Sequence, residues 1–203
     1  MISPAFAGVV LAAGASTRMG RDKALLPWGP TNFLGAAIEM LSPATEMVIV
    51  VGGANSETLK PDIYKRGAYL ITNEAPERGQ FSSMQLGLRE VLNRGRDAAV
   101  VALVDRPPAD AATMQALIKA FRKESKLGQW VIAPETIDPA SGIARHGHPL
   151  FIGREMIEFM LKAPVTANAR EILHEHQAKI TYVPVQDVNT IRNINTPEEY
   201  AAM

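Results

Sequence analysis

The sequence predicts an α/β fold: a single three-layer, doubly wound domain spanning residues 1–203, with a mostly parallel sheet between two layers of helices. Short apolar segments alternate along the chain with segments of helical spacing. The apolar segments are nearly continuous, which is typical of parallel strands covered on both faces. A length of 203 residues, of which 47% are hydrophobic and 21% charged, suits one domain with a sizeable core.

The first half of the chain alternates predicted strands with predicted helices. Each strand is a short run of apolar or β-branched residues, and the second ends at a pair of glycines. Each helix has apolar residues three or four positions apart. In chain order the elements are strand 6–11, helix 32–41, strands 47–51 and 68–71, helix 81–92 and strand 98–104.

The second half opens with an amphipathic helix that Asp110 is placed to cap. The C-terminal tail is predicted to start a helix at Thr196, with Pro197 in its first turn and a Glu placed to close a capping box. Residues 135–147 are predicted to form a loop over the ligand site. The elements are helix 111–126, strands 130–133 and 148–152, helices 153–162 and 168–176, and strand 180–185.

Composition limits the classes of function. The chain has no cysteine, so neither disulfides nor thiolate–zinc sites are expected. The formal net charge is zero, so no nucleic acid and no membrane is expected as a partner. The apolar N-terminal segment lacks a basic leader and is too short to span a bilayer, which predicts a cytoplasmic protein.

The loop after the first strand combines small residues with cations. Residues 12–16 have no bulky side chains, so backbone N–H groups can converge on an anion, and Arg18 and Lys23 add positive charge. The phosphate chain of a nucleotide suits this arrangement. The Walker pattern is absent because Gly20 is followed by Arg-Asp, and the dinucleotide pattern lacks its second glycine. The alternative is an ordinary strand-to-helix turn with both cations solvated.

The stretch LAAGASTRMGRDKALLPWG, residues 11–29, resembles the signature LAAGxSxRMGxxKxLLPWG of the MobA-like nucleotidyltransferases, in particular the molybdenum cofactor cytidylyltransferase branch. The resemblance implies a nucleotide-diphospho-sugar transferase-like fold and transfer of a nucleoside monophosphate to a phosphorylated acceptor, with release of pyrophosphate. It implies that Arg18 and Lys23 are catalytic. The loop residues that it assigns to nucleotide binding are Leu11, Ala12, Ala13, Gly14, Ser16 and Gly20.

Asp105 ends the most apolar strand, in VALVDRPPAD. A carboxylate at the carboxyl end of a strand faces the ligand crevice, and carboxylate oxygens are ligands for Mg²⁺. The family has a similar LvDxP element whose Asp holds magnesium, so the resemblance implies that Asp105 is catalytic and binds Mg²⁺. The alternative is a cap of the turn before the next helix, a role that Asp110 already fills.

Asn193 and Asn195 lie in RNINTPEEY, where the family has D-x-D-T-P-E-D or N-x-N-T-P-E-D. The resemblance implies that one of these two side chains completes the metal site. Two amides in place of carboxylates would leave the site with less negative charge. The alternative is turn chemistry ahead of the capped helix, because Asn is favoured in turns.

Two further segments resemble elements of the family. In NEAPERGQFSSMQLGLR, Gly79 allows close backbone approach, and Ser82 or Ser83 is predicted to cap the following helix while donating to the nucleotide. His148 belongs to a Gly-His-Pro element that lies on the acceptor side in the cytidylyl branch. His174 and His176 are expected to be solvated rather than to bind zinc.

The base and the acceptor follow from the resemblance. Ala13 stands where the guanylyl branch has Gly, and its methyl group would crowd a purine, which favours CTP over GTP. The LLPWG and Gly-His-Pro elements imply a phosphorylated pterin acceptor, the molybdenum cofactor, with a molybdoenzyme as a further partner. The Gly-Asp that usually precedes the helix at 168–176 is absent. The alternatives are a GTP-using or other small-molecule nucleotidyltransferase, and a nucleotide-binding chaperone or regulator without turnover.

Overall fold

The computed structural model describes residues 5–14 and 19–203, and within them it confirms the predicted α/β fold with a mostly parallel central sheet. The main sheet has eight strands, and a small hairpin follows the first loop. The strands are β1 (Phe6–Leu11), β2 (Pro27–Trp28), β3 (Thr31–Asn32), β4 (Met47–Gly52), β5 (Tyr69–Thr72), β6 (Ala98–Leu103), β7 (Val131–Ile137), β8 (Ala144–His146), β9 (Leu150–Gly153) and β10 (Ile180–Pro184).

Helices α1, α4, α6 and α7 begin at side chains that cap them, namely Asn32, Asp110, Asn168 and Thr196. Asp110 accepts a hydrogen bond from the Thr113 amide, and Thr196 and Glu199 form a complete capping box, as predicted. No helix in the described ranges is both long and apolar enough to cross a bilayer. The helices are α1 (Phe33–Leu41), α2 (Ser56–Lys65), α3 (Gln80–Asn93), α4 (Ala111–Glu124), α5 (Arg154–Lys162), α6 (Ala169–Glu175) and α7 (Pro197–Ala201).

The strand order of the main sheet is β10-β7-β9-β6-β1-β4-β5, with β8 paired to β7. Strands β6, β1, β4 and β5 run parallel to one another, and β10 runs parallel to β7. Strand β9 runs antiparallel to both of its neighbours. Its first residues therefore lie at the same edge of the sheet as the carboxyl ends of the parallel strands, where ligands bind in such folds.

Alternate residues of β1 enter two separate cores, one on each face of the sheet. Phe6 and Val10 pack with α1, α2 and α4, whereas Ala7 and Val9 pack with α3, α5 and α6. All four side chains are almost completely buried. Both faces are therefore covered by helices, which explains why the strands are apolar throughout rather than alternating with polar residues.

Helix α3 approaches the sheet closely at Gly87. A Cβ atom at this position would lie 2.6 Å from Cγ1 of Val9 and 3.1 Å from Cγ2 of Val51, so the glycine permits the contact between helix and sheet. The predicted apolar side of this helix is confirmed, since Met84, Leu88 and Val91 are buried.

Two parts of the predicted element order need correction. The sequence interpretation missed α2, whose apolar side is short and whose interior contains Pro61. The segment 135–147 is not only a loop: β7 continues to Ile137 and pairs antiparallel with β8, so only 138–143 form the connection. All three residues of β8 are exposed, so this strand offers no apolar run for a sequence search to find.

Candidate functional site

The first loop leaves β1 at the carboxyl edge of the sheet. The described part places Leu11 and Ala12 in buried positions, Ala13 partly exposed and Gly14 exposed. The Ala12 amide donates to the Val51 carbonyl at 2.9 Å, so the loop begins as a continuation of the sheet. The predicted site residues Ser16 and Arg18 lie outside the described residues.

Asn55 holds the two ends of this loop together. Its side-chain amide donates to the Ala12 carbonyl at 3.0 Å and to Oδ2 of Asp22 at 2.6 Å, and its Oδ1 accepts from the Gly53 amide at 3.0 Å. The other oxygen of Asp22 accepts from the Ala24 amide at 3.0 Å and caps the short turn that carries Lys23. The position of Lys23 thus depends on Asn55.

The structure brings together three of the predicted site residues. Nζ of Lys23 donates to Oδ1 of Asn195 at 2.9 Å and lies 3.8 Å from Oδ2 of Asp105. The side chains of Lys23 and Asp105 are 12% and 29% exposed, which shields the ion pair from water but leaves it reachable from the crevice. These residues come from the first loop, the end of β6 and the start of the C-terminal helix.

A backbone hydrogen bond fixes the C-terminal segment against β6. The Ile194 amide donates to the Asp105 carbonyl at 2.8 Å, and the Ile194 side chain is buried. Asn193 and Asn195 therefore lie on either side of a residue anchored to Asp105. Asn195 contacts Lys23, whereas Asn193 is exposed and lines the neighbouring cavity.

The donor atoms around Asp105 fit a magnesium ion. Oδ1 of Asp105 is buried and has no hydrogen-bond partner among residues 5–14 and 19–203, an arrangement that a bound cation would satisfy. The nearby amide oxygens are hard donors of the kind that Mg²⁺ prefers. The described residues contain no group of three or more His, Asp or Glu side chains placed to hold a metal, so the other ligands would be water and substrate oxygens.

The segment between β5 and α3 differs from its prediction. Helix α3 has Gly79 at its N-cap, with φ of 96° and no capping side chain, so neither Ser82 nor Ser83 caps it. Instead, the Asn73 amide donates to the hydroxyls of both serines at 2.9 Å, and Ser82 donates to the Gly79 carbonyl. The serines brace the loop, and their contact with a nucleotide stays a prediction, as it does for Gly79.

A cavity of about 900 Å³ opens beside the cluster of Lys23, Asp105 and Asn195, at the carboxyl ends of β1 and β6. Its floor includes Leu11 and Leu103, and Gln80 and Met84 at the start of α3 form one wall. The opposite wall comes from the turn between β8 and β9 and from α6. The lining side chains that bear charge or can gain it are both basic and acidic: Arg106, Arg145, His146, His148, Arg170, His174, Glu171 and Glu175.

His148 and Arg106 meet at one backbone carbonyl. The His148 amide and Nη1 of Arg106 each donate to the Thr190 carbonyl at 2.9 Å. Burial, and secondarily the charge of Arg106, lowers the pKa of His148 to about 3, so its ring is neutral near pH 7. Burial lowers the pKa of Arg106, an effect that the neighbouring Asp105 opposes.

The two remaining predicted histidines differ. His174 is exposed, as expected, but His176 is partly buried and packs against Phe159 and Trp130 with ring centroids 4.2 and 5.8 Å away. The expectation that both are solvated is wrong for His176, because the chain leaves the helix at this residue and turns it toward the aromatic side chains.

Comparison with known proteins agrees with this geometry. The model of the MobA-like NTP transferase domain matches residues 8–180, which is most of the chain. The chain belongs to the MobA-like NTP transferase domain family. The predicted family is thereby confirmed, whereas the cytidylyltransferase branch stays a prediction.

MobA-like relatives with different names match almost the whole chain. Purine catabolism protein PucB of Bacillus subtilis (strain 168) is 28% identical over 98% of this chain and 96% of its own length. Nicotine blue oxidoreductase of Paenarthrobacter nicotinovorans is 28% identical, over 97% and 95%. Molybdenum cofactor guanylyltransferase of Xanthomonas euvesicatoria pv. vesicatoria (strain 85-10) is 26% identical, over 97% and 93%.

Solved structures confirm the MobA-like fold. The crystal structure of Rv0371c from Mycobacterium tuberculosis H37Rv has a TM-score of 0.82 and 23% identity, with 100% of this chain and 98% of the other covered. The complex of Rv0371c with manganese has a TM-score of 0.75 and 21% identity, with 98% and 97% covered. The three-layer nucleotide-diphospho-sugar transferase-like architecture predicted from the sequence is therefore the observed one.

Several residues of this MobA-like site were missed by the sequence interpretation. Asn55 follows the Gly52-Gly53 pair after β4, and a polar side chain at the carboxyl end of a predicted strand was a usable signal. Arg106 directly follows Asp105 and was equally visible. The stacking of His146 on Tyr182, with ring centroids 3.5 Å apart, joins residues distant in sequence and left no local signal.

Proposed function

We propose that this protein transfers a nucleoside monophosphate from a nucleoside triphosphate, with CTP favoured, to the phosphate of a pterin-type acceptor such as the molybdenum cofactor. The observation that carries the proposal is the cluster of Lys23, Asp105 and Asn195 at the carboxyl edge of the sheet, beside the first loop. A cation and a carboxylate with one unpartnered oxygen match the phosphates and the metal of a bound nucleotide.

The reaction requires alignment and charge stabilisation more than proton transfer. An oxygen of the acceptor phosphate forms a bond to the α-phosphorus, the bond from that phosphorus to the bridging oxygen of the β-phosphate breaks, and pyrophosphate leaves. The acceptor phosphate is already ionised near pH 7, so no general base is needed. Lys23 would neutralise charge on the α-phosphate, and Arg18 with the backbone of residues 14–20 would hold the β- and γ-phosphates.

Magnesium is the cofactor that the proposal assigns to Asp105. Oδ1 of Asp105 would hold the ion, with the amide oxygen of Asn193 or Asn195 as a further ligand. When bound, the ion neutralises negative charge on the triphosphate. Lys23 keeps Oδ2 of Asp105 and the Asn195 amide in place from the opposite side. The structure of Rv0371c with manganese shows that a divalent cation occurs with this fold in another protein.

The choice of base separates the two leading candidates. The methyl group of Ala13 lies at the entrance of the loop and would crowd a purine more than a pyrimidine, which supports CTP. The relative named molybdenum cofactor guanylyltransferase supports GTP instead. Pyrophosphate release with CTP, GTP and ATP, in the presence of Mg²⁺ and molybdenum cofactor, decides between them.

We expect the highest rate of pyrophosphate release with CTP. The rise in the thermal unfolding midpoint on adding CTP, GTP or ATP should follow the same order as these rates. A higher rate with GTP would replace the cytidylyl assignment by the guanylyl one. Nucleotide binding without pyrophosphate release for any acceptor would favour a nucleotide-binding chaperone or regulator. Transfer to a phosphorylated acceptor outside the pterins would keep the reaction class and change the pathway.

A further inference from the structure

The cavity beside the Lys23–Asp105 pair contains a second cation that the proposed transfer of the nucleotide does not use. Arg106 is partly exposed and lines this cavity. Its Nη1 donates to the Thr190 carbonyl, but its Nε is buried and finds no hydrogen-bond partner in the described part of the chain. A guanidinium in such a position is normally paired with an acid, and an unsatisfied donor is costly.

No ion pair to an acidic side chain satisfies Arg106 within residues 5–14 and 19–203. Its neighbour Asp105 pairs with Lys23 instead, and Arg145 on the hairpin, which lines the same cavity, pairs with Asp138 at 3.0 Å. Asp105 acts on the charge of Arg106, and Glu171 and Glu175 line the same cavity, but no carboxylate of the described residues forms an ion pair with Arg106. Such a group favours an anion from solution.

His148 supplies a second polar group at the same point. It lines the cavity, its amide shares the Thr190 carbonyl with Arg106, and its ring Nδ1 is buried with no partner among the described residues. Gly147 fixes this approach, because a Cβ atom there would lie 2.2 Å from the Thr190 oxygen. Two unsatisfied polar groups held against one backbone carbonyl form a built site rather than two unrelated surface residues.

We propose that Arg106 and the ring of His148 form a binding subsite for a phosphomonoester dianion, and that the phosphate of the acceptor occupies it during transfer. The assignment to the acceptor rests on the proposed function, whereas the anion subsite itself does not. A guanidinium binds a phosphate through two N–H groups in one plane, which orients the anion as well as holding it. Placed next to Asp105, the bound phosphate lies on the acceptor side of the metal ligand.

Inorganic phosphate is the probe. It is titrated into the protein while the ring signals of the four histidines are followed by NMR. We expect the His148 signal to shift, and Arg106→Met to weaken phosphate binding by about tenfold or more, since a hydrogen-bonded charge is lost. Arg122→Met removes the same charge from an exposed position on α4 and serves as the matched control, with unchanged binding expected.

A second variant separates this subsite from the nucleotide loop. Lys23→Met removes the cation of that loop, and phosphate binding at His148 is expected to survive it. Loss of binding in Lys23→Met but not in Arg106→Met would overturn the proposal, and so would a wild-type protein whose His148 signal ignores phosphate. If Arg106→Met does not fold, Arg106→Lys decides: it keeps the charge but loses the planar pair of donors, so unchanged affinity would equally overturn the proposal.

Nucleotide binding and the acceptor KM are measured separately from phosphate binding. CTP with Mg²⁺ is expected to bind Arg106→Met as tightly as the wild type, while the apparent KM for the acceptor rises. Phosphate binding that depends on Arg106 in a protein that binds no nucleotide would overturn the proposed function and leave the anion subsite standing. Nucleotide transfer with an unchanged acceptor KM in Arg106→Met would overturn the subsite and leave the proposed function standing.

Discussion

The two carboxylate oxygens of Asp105 have different surroundings. Oδ2 lies 3.8 Å from the ammonium of Lys23, and Oδ1 is buried with no hydrogen-bond partner within the ranges that the structure describes. An amide at this position would keep the size of the side chain and remove its negative charge. Asn195, whose amide oxygen accepts from Lys23, is by contrast a neutral oxygen donor beside this carboxylate.

Asp105→Asn is expected to lower the rate of pyrophosphate release by about a hundredfold or more, because one catalytic charge contributes roughly 3–4 kcal/mol to such reactions. The thermal unfolding midpoint should stay near that of the wild type. Asp97→Asn, which removes a carboxylate from an exposed ion pair with Arg154, is the control and should keep full activity. Full activity in Asp105→Asn would remove the metal assignment.

Asn55 acts on the site through other residues. Its three hydrogen bonds join Ala12, Gly53 and Asp22, so it positions both the start of the first loop and the turn that carries Lys23. Asn55→Ala leaves two partly buried acceptors and one donor unpaired. We expect the free energy of unfolding to fall by roughly 1–3 kcal/mol.

Nucleotide affinity in Asn55→Ala should fall as well, because the loop loses its fixed geometry. Calorimetric titration with CTP and Mg²⁺ measures this affinity. The control is Thr58→Ala, a change at an exposed position of α2, the helix that follows Asn55. An unfolding free energy and a nucleotide affinity both equal to those of Thr58→Ala would show that Asn55 does not position the loop.

At the scale of elements, the contact between α3 and the sheet is sensitive to a single methyl group. The Cβ of an alanine at position 87 would lie 2.6 Å from Val9, in a core where neither partner can move freely. Gly87→Ala is expected to lower the free energy of unfolding by roughly 1–3 kcal/mol through overpacking, although alanine favours helices. Denaturant unfolding measures this.

Arg89→Ala on the exposed side of α3 is the control for the same helix and should change stability little. If Gly87→Ala proved as stable as Arg89→Ala, the helix would have room to move away from the sheet.

The sequence predicts elements best where one physical signal dominates. Strands β1, β4 and β6 are nearly uniform apolar runs, and the caps at Asp110 and Thr196 are local patterns, so both were predictable. Helix α2 was missed because its pattern is weak, and β8 because its three residues are exposed. The residues around Lys23 were predicted by resemblance, but the contact of Asn195 with Lys23 spans 172 positions and only the fold reveals it.

At the scale of the whole molecule, stability depends on a histidine kept neutral. The pKa of His148 is lowered by burial to about 3 in the folded protein, against a usual value near 6.5 when unfolded. Below about pH 6.5 the unfolded chain binds a proton that the folded chain does not bind until about pH 3. This contribution to stability is therefore complete above pH 6.5 and is lost as the pH falls toward 3.

As the pH falls from 7 to 5, this histidine should lower the free energy of unfolding of the wild type by about 2 kcal/mol. His148→Gln lacks the group and should lose less stability over the same range. His174→Gln, at an exposed position on α6, should follow the wild type. Denaturant unfolding at several pH values measures the three slopes, and equal slopes for wild type and His148→Gln would show that His148 titrates normally in the folded protein.

The reversed direction of β9 determines which segments of the chain reach the ligand-binding edge of the sheet. Strands β6 and β7 reach the ligand-binding edge of the sheet at their carboxyl ends. Strand β9 runs the other way, so Gly147 and His148 lie at that edge just before β9 begins. The connection at 138–143 that leads into this segment projects from the rim and touches none of the nucleotide-loop residues through the hydrogen bonds described. On the proposed function, exchanging this hairpin is expected to change the preference for the acceptor while leaving nucleotide binding intact.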